Sequence, residues 1–103
     1  MTQTTQAVLR AMLDRRTEDV YGLEICSATG LPSGTVHPIL ARFEALGWLE
    51  SFWEKADPRV QGRPRRRYYR LTADGAALAA DALARAYQAR TRIITRLRPA
   101  VES

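Results

Sequence analysis

The chain has 103 residues, about one domain's worth, and its 46% hydrophobic residues suffice for a single modest core. Sixteen basic against 11 acidic residues leave a net charge of +5, which favours polyanionic partners such as nucleic acid or an anionic membrane surface. One cysteine, Cys26, excludes an internal disulfide, and with a single histidine, His37, neither a metal site nor a cofactor is expected. No apolar run approaches the roughly 18–20 residues of a membrane span, and the N-terminus MTQTTQAVLR lacks the pattern of a secretory signal, so no membrane partner and a cytoplasmic location are expected.

Val8, Leu9, Met12 and Leu13 recur at helical spacing and predict a first helix over residues 4–15. A polar break follows at 15–19. Tyr21, Ile25 and Ala28 then predict a short second helix that stops at Gly30. Leu31–Gly34 reads as a tight turn, with Ser33 expected as the N-cap of a third helix. Val36, Ile39, Leu40, Phe43 and Leu46 form that helix's apolar face, and Gly47 ends it. Helix, short turn and helix make a helix-turn-helix.

The period then changes. Residues 48–55, WLESFWEK, and 67–72, RYYRLT, read as two strands, and ADPRVQGRPRR between them as a loop with two prolines and a glycine. A hairpin directly after a helix-turn-helix is a wing. Alternation puts Tyr69 and Leu71 on the inner face, packed against Leu49 and Trp53, and Tyr68 and Arg70 on the outer face. Thr72 is a cap for a last helix running from Ala73 to about Arg98, with Asp74 favourably placed in its first turn and Pro99 as its stop. Ala76, Ala80, Leu83, Tyr87, Arg90, Ile94, Leu97 and Val101 alternate steps of four and three, a coiled-coil-like seam interrupted by Arg90. A helix this long cannot bury its far end against so small a body. A second copy is the expected cover, with Leu83, Tyr87, Ile94 and Leu97 as dimerisation residues.

The expected fold is therefore mainly α with a small β-hairpin: a winged helix-turn-helix over residues 1–72, continuous with a dimerisation helix over 73–103. On the third helix, Ser33, Gly34, Thr35, His37, Ala41 and Arg42 face outward. In a helix-turn-helix the N-terminal part of this helix meets base edges in the major groove. Thr35 and His37 suit base edges, and Arg42 suits a phosphate. Pro38 breaks a local rule, since it lacks an N–H and crowds the Gly34 carbonyl; a functional constraint and a harmless early kink both account for it. Five arginines fall within residues 62–70. Arg59, Arg63, Arg65, Arg66 and Arg67 lie on or beside the wing loop, where they suit phosphates or a narrow minor groove. The blander alternatives are a wet helix face and a solvated basic loop. No nucleophile–base–acid motif, phosphate loop or metal cluster points to an enzyme.

YGLEI (Tyr21–Ile25), LPSGTVHPILARFEALGWLES (Leu31–Ser51), WE (Trp53-Glu54) and GRPRRRYYRLTADG (Gly62–Gly75) together resemble the DNA-binding domain of PadR-type transcriptional regulators, over roughly residues 5–80. The resemblance implies a winged helix, a homodimer and repression through promoter binding. It also implies a third helix that enters the major groove and a wing that reaches the neighbouring backbone or minor groove. These roles carry over to Ser33, Thr35, His37, Pro38 and Arg42 and to the loop arginines. The family usually has tyrosine before the proline; here the residue is His37. The tail has the length of the smaller family members, with one helix and no separate ligand domain. Many members respond to a small molecule near the dimer interface, and Met12 with Tyr87 are candidates to line such a pocket. The competing expectations are a winged helix that grips an acidic protein partner and an architectural protein that binds double-stranded DNA without sequence preference.

Overall fold

The computed structural model describes residues 1–97, with side chains described through Thr95. Its elements in chain order are α1 (Gln3–Asp14), β1 (Val20–Tyr21), α2 (Gly22–Thr29), α3 (Ser33–Ala45), β2 (Leu49–Trp53), α4 (Pro58–Gln61), β3 (Arg67–Leu71) and α5 (Ala73–Leu97). The fold is a winged helix with a three-stranded antiparallel sheet ordered β1-β3-β2.

Two of these elements go beyond the sequence reading. Val20 and Tyr21 pair with Tyr69 and Tyr68 and add a third strand to the hairpin. The wing loop contains one helical turn, α4. Asp57 caps it by accepting from the Arg59 N–H at 2.9 Å, Pro58 opens it, and Gly62 closes it in the left-handed conformation at φ 69°.

Caps define the other helices. The Thr2 hydroxyl accepts from the Thr5 N–H at the start of α1. Gly30, left-handed at φ 73°, ends α2 where the sequence places its stop. The start of α3 differs from expectation. Pro32 is the N-cap, with extended backbone, and its carbonyl accepts from the Thr35 and Val36 N–H groups. Ser33 is thus the first helical residue and its hydroxyl has no capping role. α3 continues through Pro38 without interruption. Thr72 caps α5 as expected, accepting from the Gly75 N–H at 2.8 Å.

The core joins α1 (Val8, Leu9, Met12), β1 (Val20), α2 (Ile25), α3 (Val36, Leu40, Phe43), the sheet (Leu49, Tyr69, Leu71) and the start of α5 (Ala79). Tyr69 and Leu71 face inward beside Leu49. Trp53 does not join them. Burial fades along β2, and Trp53 is 57% exposed at its far end. On α5 the inward residues are Gly75, Ala76, Ala79 and Leu83, while Ala80 of the expected seam is exposed. Beyond Leu83 the helix leaves the body, with Tyr87, Ile93 and Ile94 exposed. The radius of gyration, 17.2 Å, exceeds the roughly 13 Å of a compact domain of this length for that reason. The side chain of Leu97, and the expected seam residue Val101 and stop Pro99, lie outside the described residues.

Candidate nucleic-acid interface

α3 divides cleanly. Val36, Ile39, Leu40 and Phe43 are buried, while Ser33, Gly34, His37, Pro38, Ala41 and Arg42 are exposed and Thr35 is half-buried. A side chain added at Gly34 would meet nothing within 4 Å, so internal packing does not require this glycine. It leaves bare backbone at the exposed N-terminal end of the helix. Gly22, the first residue of α2, is different: a Cβ there would overlap His37 Cε1 and stand 3.2 Å from both ring nitrogens, so the imidazole lies directly on the α2 backbone. Arg42 reaches toward α1, where one Nη donates to the Thr5 hydroxyl at 3.3 Å and the guanidinium lies 5.8 Å from the Phe43 ring centre.

The wing arginines separate by their partners. Arg63 is clamped. Its two Nη atoms donate to both oxygens of Glu54 at 2.7 and 2.9 Å, the bidentate fork that suits guanidinium and carboxylate. The Arg66 N–H adds a long bond to the same carboxylate at 3.4 Å. Arg63 holds the Glu54 carboxyl down at a pKa of about 2, partial desolvation opposing, and Glu54 in turn raises that of Arg63. Arg67 donates to Ser51 Oγ at 2.7 Å, approaches Glu44 at 3.5 Å and lies over the Trp53 ring. Arg70 reaches Asp19 at 3.4 Å. The Arg66 guanidinium stacks on the Tyr21 ring at 4.1 Å and forms no ion pair among the described residues. Among the described residues Arg65 donates only to the Ala56 carbonyl, at 3.3 Å, and Arg59 is exposed on α4.

The outer face of the sheet carries a row of rings from all three strands. Tyr21 meets Tyr68 edge-on at 5.7 Å, and Tyr68 stacks with Phe52 at 6.0 Å. This row fixes β1 to the wing. Helical spacing assigns Tyr21 to a helix, so the sequence reading misses the row.

Residues 9–81, most of the chain, match the model of the transcriptional regulator PadR-like family. The chain belongs to the PadR-like family. The sequence has no match among curated proteins. Among solved structures, the fold is similar to that of Bordetella bronchiseptica BpsR, whose DNA binding is regulated by 6-hydroxynicotinic acid. That match has 26% identity and a TM-score of 0.69, over 97% of this chain and 70% of BpsR. A PadR-family regulator from Eggerthella lenta matches at 24% identity and a TM-score of 0.70, over 87% of this chain and 80% of its own. A variant of S. aureus MepR bound to an oligodeoxyribonucleotide shares the fold at 15% identity and a TM-score of 0.65, over 97% of this chain and 67% of its own. The family is one of transcriptional regulators, not a class of enzymes. Among the described residues, no helix is long and apolar enough to cross a membrane, and no cluster of His, Cys, Asp and Glu is grouped to hold a metal ion.

The remaining candidates fall apart in the single chain. Met12 is 1% exposed within the core of its own chain, whereas Tyr87 is 70% exposed on the free part of α5, so the pair does not line a pocket there. Leu83 packs partly against the core, and Ile94 is 49% exposed.

Proposed function

We propose that this PadR-like protein is a transcriptional repressor of the cytoplasm that acts as a homodimer on an inverted-repeat operator in double-stranded DNA. The observation that carries the reading is the division of α3: four apolar residues close the core while Ser33, Gly34, His37, Pro38 and Arg42 are exposed and Thr35 half-buried on the opposite face, with His37 resting on the α2 backbone and Arg42 bonded to Thr5. In this reading Thr35 and His37 meet base edges, Arg42 meets a phosphate, and the small residues at the helix start let its backbone approach the groove. Arg59, Arg65 and Arg66 supply the wing's charge to phosphates. Arg63 and Arg67 serve the wing chiefly through their internal partners. The oligonucleotide complex of MepR supports DNA as the partner of this fold.

Dimerisation is assigned to the exposed side of α5, with Tyr87 and Ile94 packing against a second copy, Leu83 at the edge of the core, and Leu97 included by its sequence spacing. A two-fold dimer presents its two α3 helices to half-sites about one helical turn apart, roughly 34 Å, or a multiple of it. A small-molecule effector belongs to this reading on the strength of BpsR, and its site would require both copies.

Selection of bound duplexes from a random pool, at about 0.15 M salt where nonspecific binding is already weakened, tests the proposal. An enriched inverted repeat is the expected result. Binding without enrichment would point to architectural DNA binding, and no binding would favour a protein partner; either outcome sinks the repressor reading.

A further inference from the structure

The wing and α3 are joined by a polar contact that neither the family match nor the exposed face of α3 accounts for. Glu44 is the penultimate residue of α3. Its Oε2 accepts a hydrogen bond from the Ser51 hydroxyl of β2 and lies 3.5 Å from an Arg67 Nη of β3. The same Arg67 nitrogen donates to Ser51 Oγ at 2.7 Å, and the guanidinium is backed by the Trp53 ring at 5.2 Å. One hydroxyl thus donates to the carboxylate and accepts from the guanidinium, which ties three elements at a single point.

The location gives this contact its meaning. Near the turn, apolar packing holds α3 to the sheet, with Phe43 against Trp48 at 4.9 Å and Leu49 buried. Further along the hairpin that packing ends, since Phe52 and Trp53 are both exposed. The Glu44–Ser51–Arg67 contact is what holds the wing to α3 there. Glu44 and Arg67 are 34% and 39% exposed, and ion pairs so wet contribute little to global stability. Their effect is on orientation.

We propose that Glu44 is a positioning residue for sequence recognition: it fixes the wing relative to α3 and keeps the Arg67 charge away from phosphates. The inference rests on the DNA-reading role proposed above. It predicts a signature that simple loss of structure does not give. Without Glu44, Arg67 is released and becomes one more cation for phosphate contact, while the wing loses its register with α3. Affinity for random DNA then rises as discrimination falls.

The test is fluorescence anisotropy of the full chain on the selected duplex and on a random duplex of equal length, over a salt series. Wild type is compared with Glu44→Ala, Glu44→Gln and the double variant Glu44→Ala/Arg67→Ala, each checked for folding by circular dichroism. For Glu44→Ala, the preference for the selected duplex is expected to fall about tenfold, the worth of a base-edge contact held out of place. Its salt slope on random DNA is expected to steepen by about 0.9 per subunit. Glu44→Gln, which keeps an acceptor for Ser51, is expected between Glu44→Ala and wild type in preference, and the double variant is expected to return to the wild-type slope. An unchanged preference and slope in Glu44→Ala overturns the inference alone. So does an equal loss on both duplexes with no change in slope. If Glu44→Ala does not fold, the same two results in Glu44→Gln overturn it. A wild-type chain that prefers no duplex overturns the DNA-reading role and this inference with it.

Discussion

Replacing Gly75 with alanine tests how α5 is attached to the body. The new methyl carbon would overlap the Trp48 carbonyl oxygen and stand 2.6 Å from its carbonyl carbon. These are backbone atoms, so no side-chain rotation relieves the clash, and α5 must lift from the turn that follows α3. That turn is also where Thr72 is anchored: its N–H donates to the Trp48 carbonyl at 3.0 Å and its hydroxyl to the Gly47 carbonyl at 3.0 Å. Alanine in a helix gains about 0.5–1 kcal/mol over glycine. Against this stand an overpacking cost of about 1–3 kcal/mol and the loss of both Thr72 hydrogen bonds at about 1 kcal/mol each. The net effect is a destabilisation of about 2–4 kcal/mol, a fall in Tm of roughly 10–25 °C for a domain of this size. Thermal unfolding followed by circular dichroism, at one fixed protein concentration because dimerisation would couple to stability, measures it. A variant as stable as wild type would refute the steric reasoning. Gly34→Ala is the matched control, because nothing lies within 4 Å of the added carbon. It should leave stability unchanged or raise it by about 0.4–1 kcal/mol, while weakening binding to the selected duplex.

Further predictions separate the roles of the charged and apolar surface groups. Arg65→Ala/Arg66→Ala should flatten the salt dependence of DNA binding by about 0.9 per lost phosphate contact, whereas Arg63→Ala should leave the slope nearly unchanged and loosen the wing, read as faster proteolysis between residues 55 and 66. Glu54 has a folded pKa of about 2 against an ordinary 4.5, so at acid pH the unfolded chain binds its proton first. Its stabilising contribution is therefore complete above about pH 4.5 and is lost as pH falls toward 2. Glu54→Gln should remove that part of the pH dependence in urea titrations, and an unaltered acid limb would exclude the Arg63 clamp as its source. Ile94→Asp should give monomers in sedimentation, since it puts a charge on the exposed side of α5 assigned to the second copy; a persistent dimer would refute that assignment.

The parts of the fold legible in the sequence are those governed by neighbours along the chain. The period of Val36, Ile39, Leu40 and Phe43 sets the buried face of α3, Gly30 stops α2, and Thr72 caps α5, all through interactions within four residues. α4 is legible in principle, since Asp57, Pro58 and Gly62 are a helix start and stop, but the density of prolines and glycine makes a loop the simpler reading. β1 is not legible: two residues have no period, and Val20–Tyr21 is a strand only because β3 lies beside it. The same limit applies to the wing. Its arginines read as one basic patch, but Glu44 is 23 residues from Arg67 and Glu54 is nine from Arg63, so which cations are neutralised depends on chain folding that spacing does not encode. Alternation alone places Trp53 inside, because it fixes the face of a strand but not how far the core extends beneath it.

The contact between Gly75 and the Trp48 carbonyl has a mechanical consequence. Trp48 follows α3 by three residues, so the rod formed by α5 is bolted almost directly to the end of α3. A joint with no spare volume transmits torque. A tilt of about 5° along a helix of 25 residues, about 37 Å, displaces one end relative to the other by about 3 Å, close to the roughly 3.4 Å that one strand rises along the DNA axis per nucleotide. In the proposed dimer, whatever bends or re-angles the paired rods would shift the two α3 helices by about a base step. In that dimer the stiffness of α5 would help to set operator spacing, together with the side chains proposed to touch the groove.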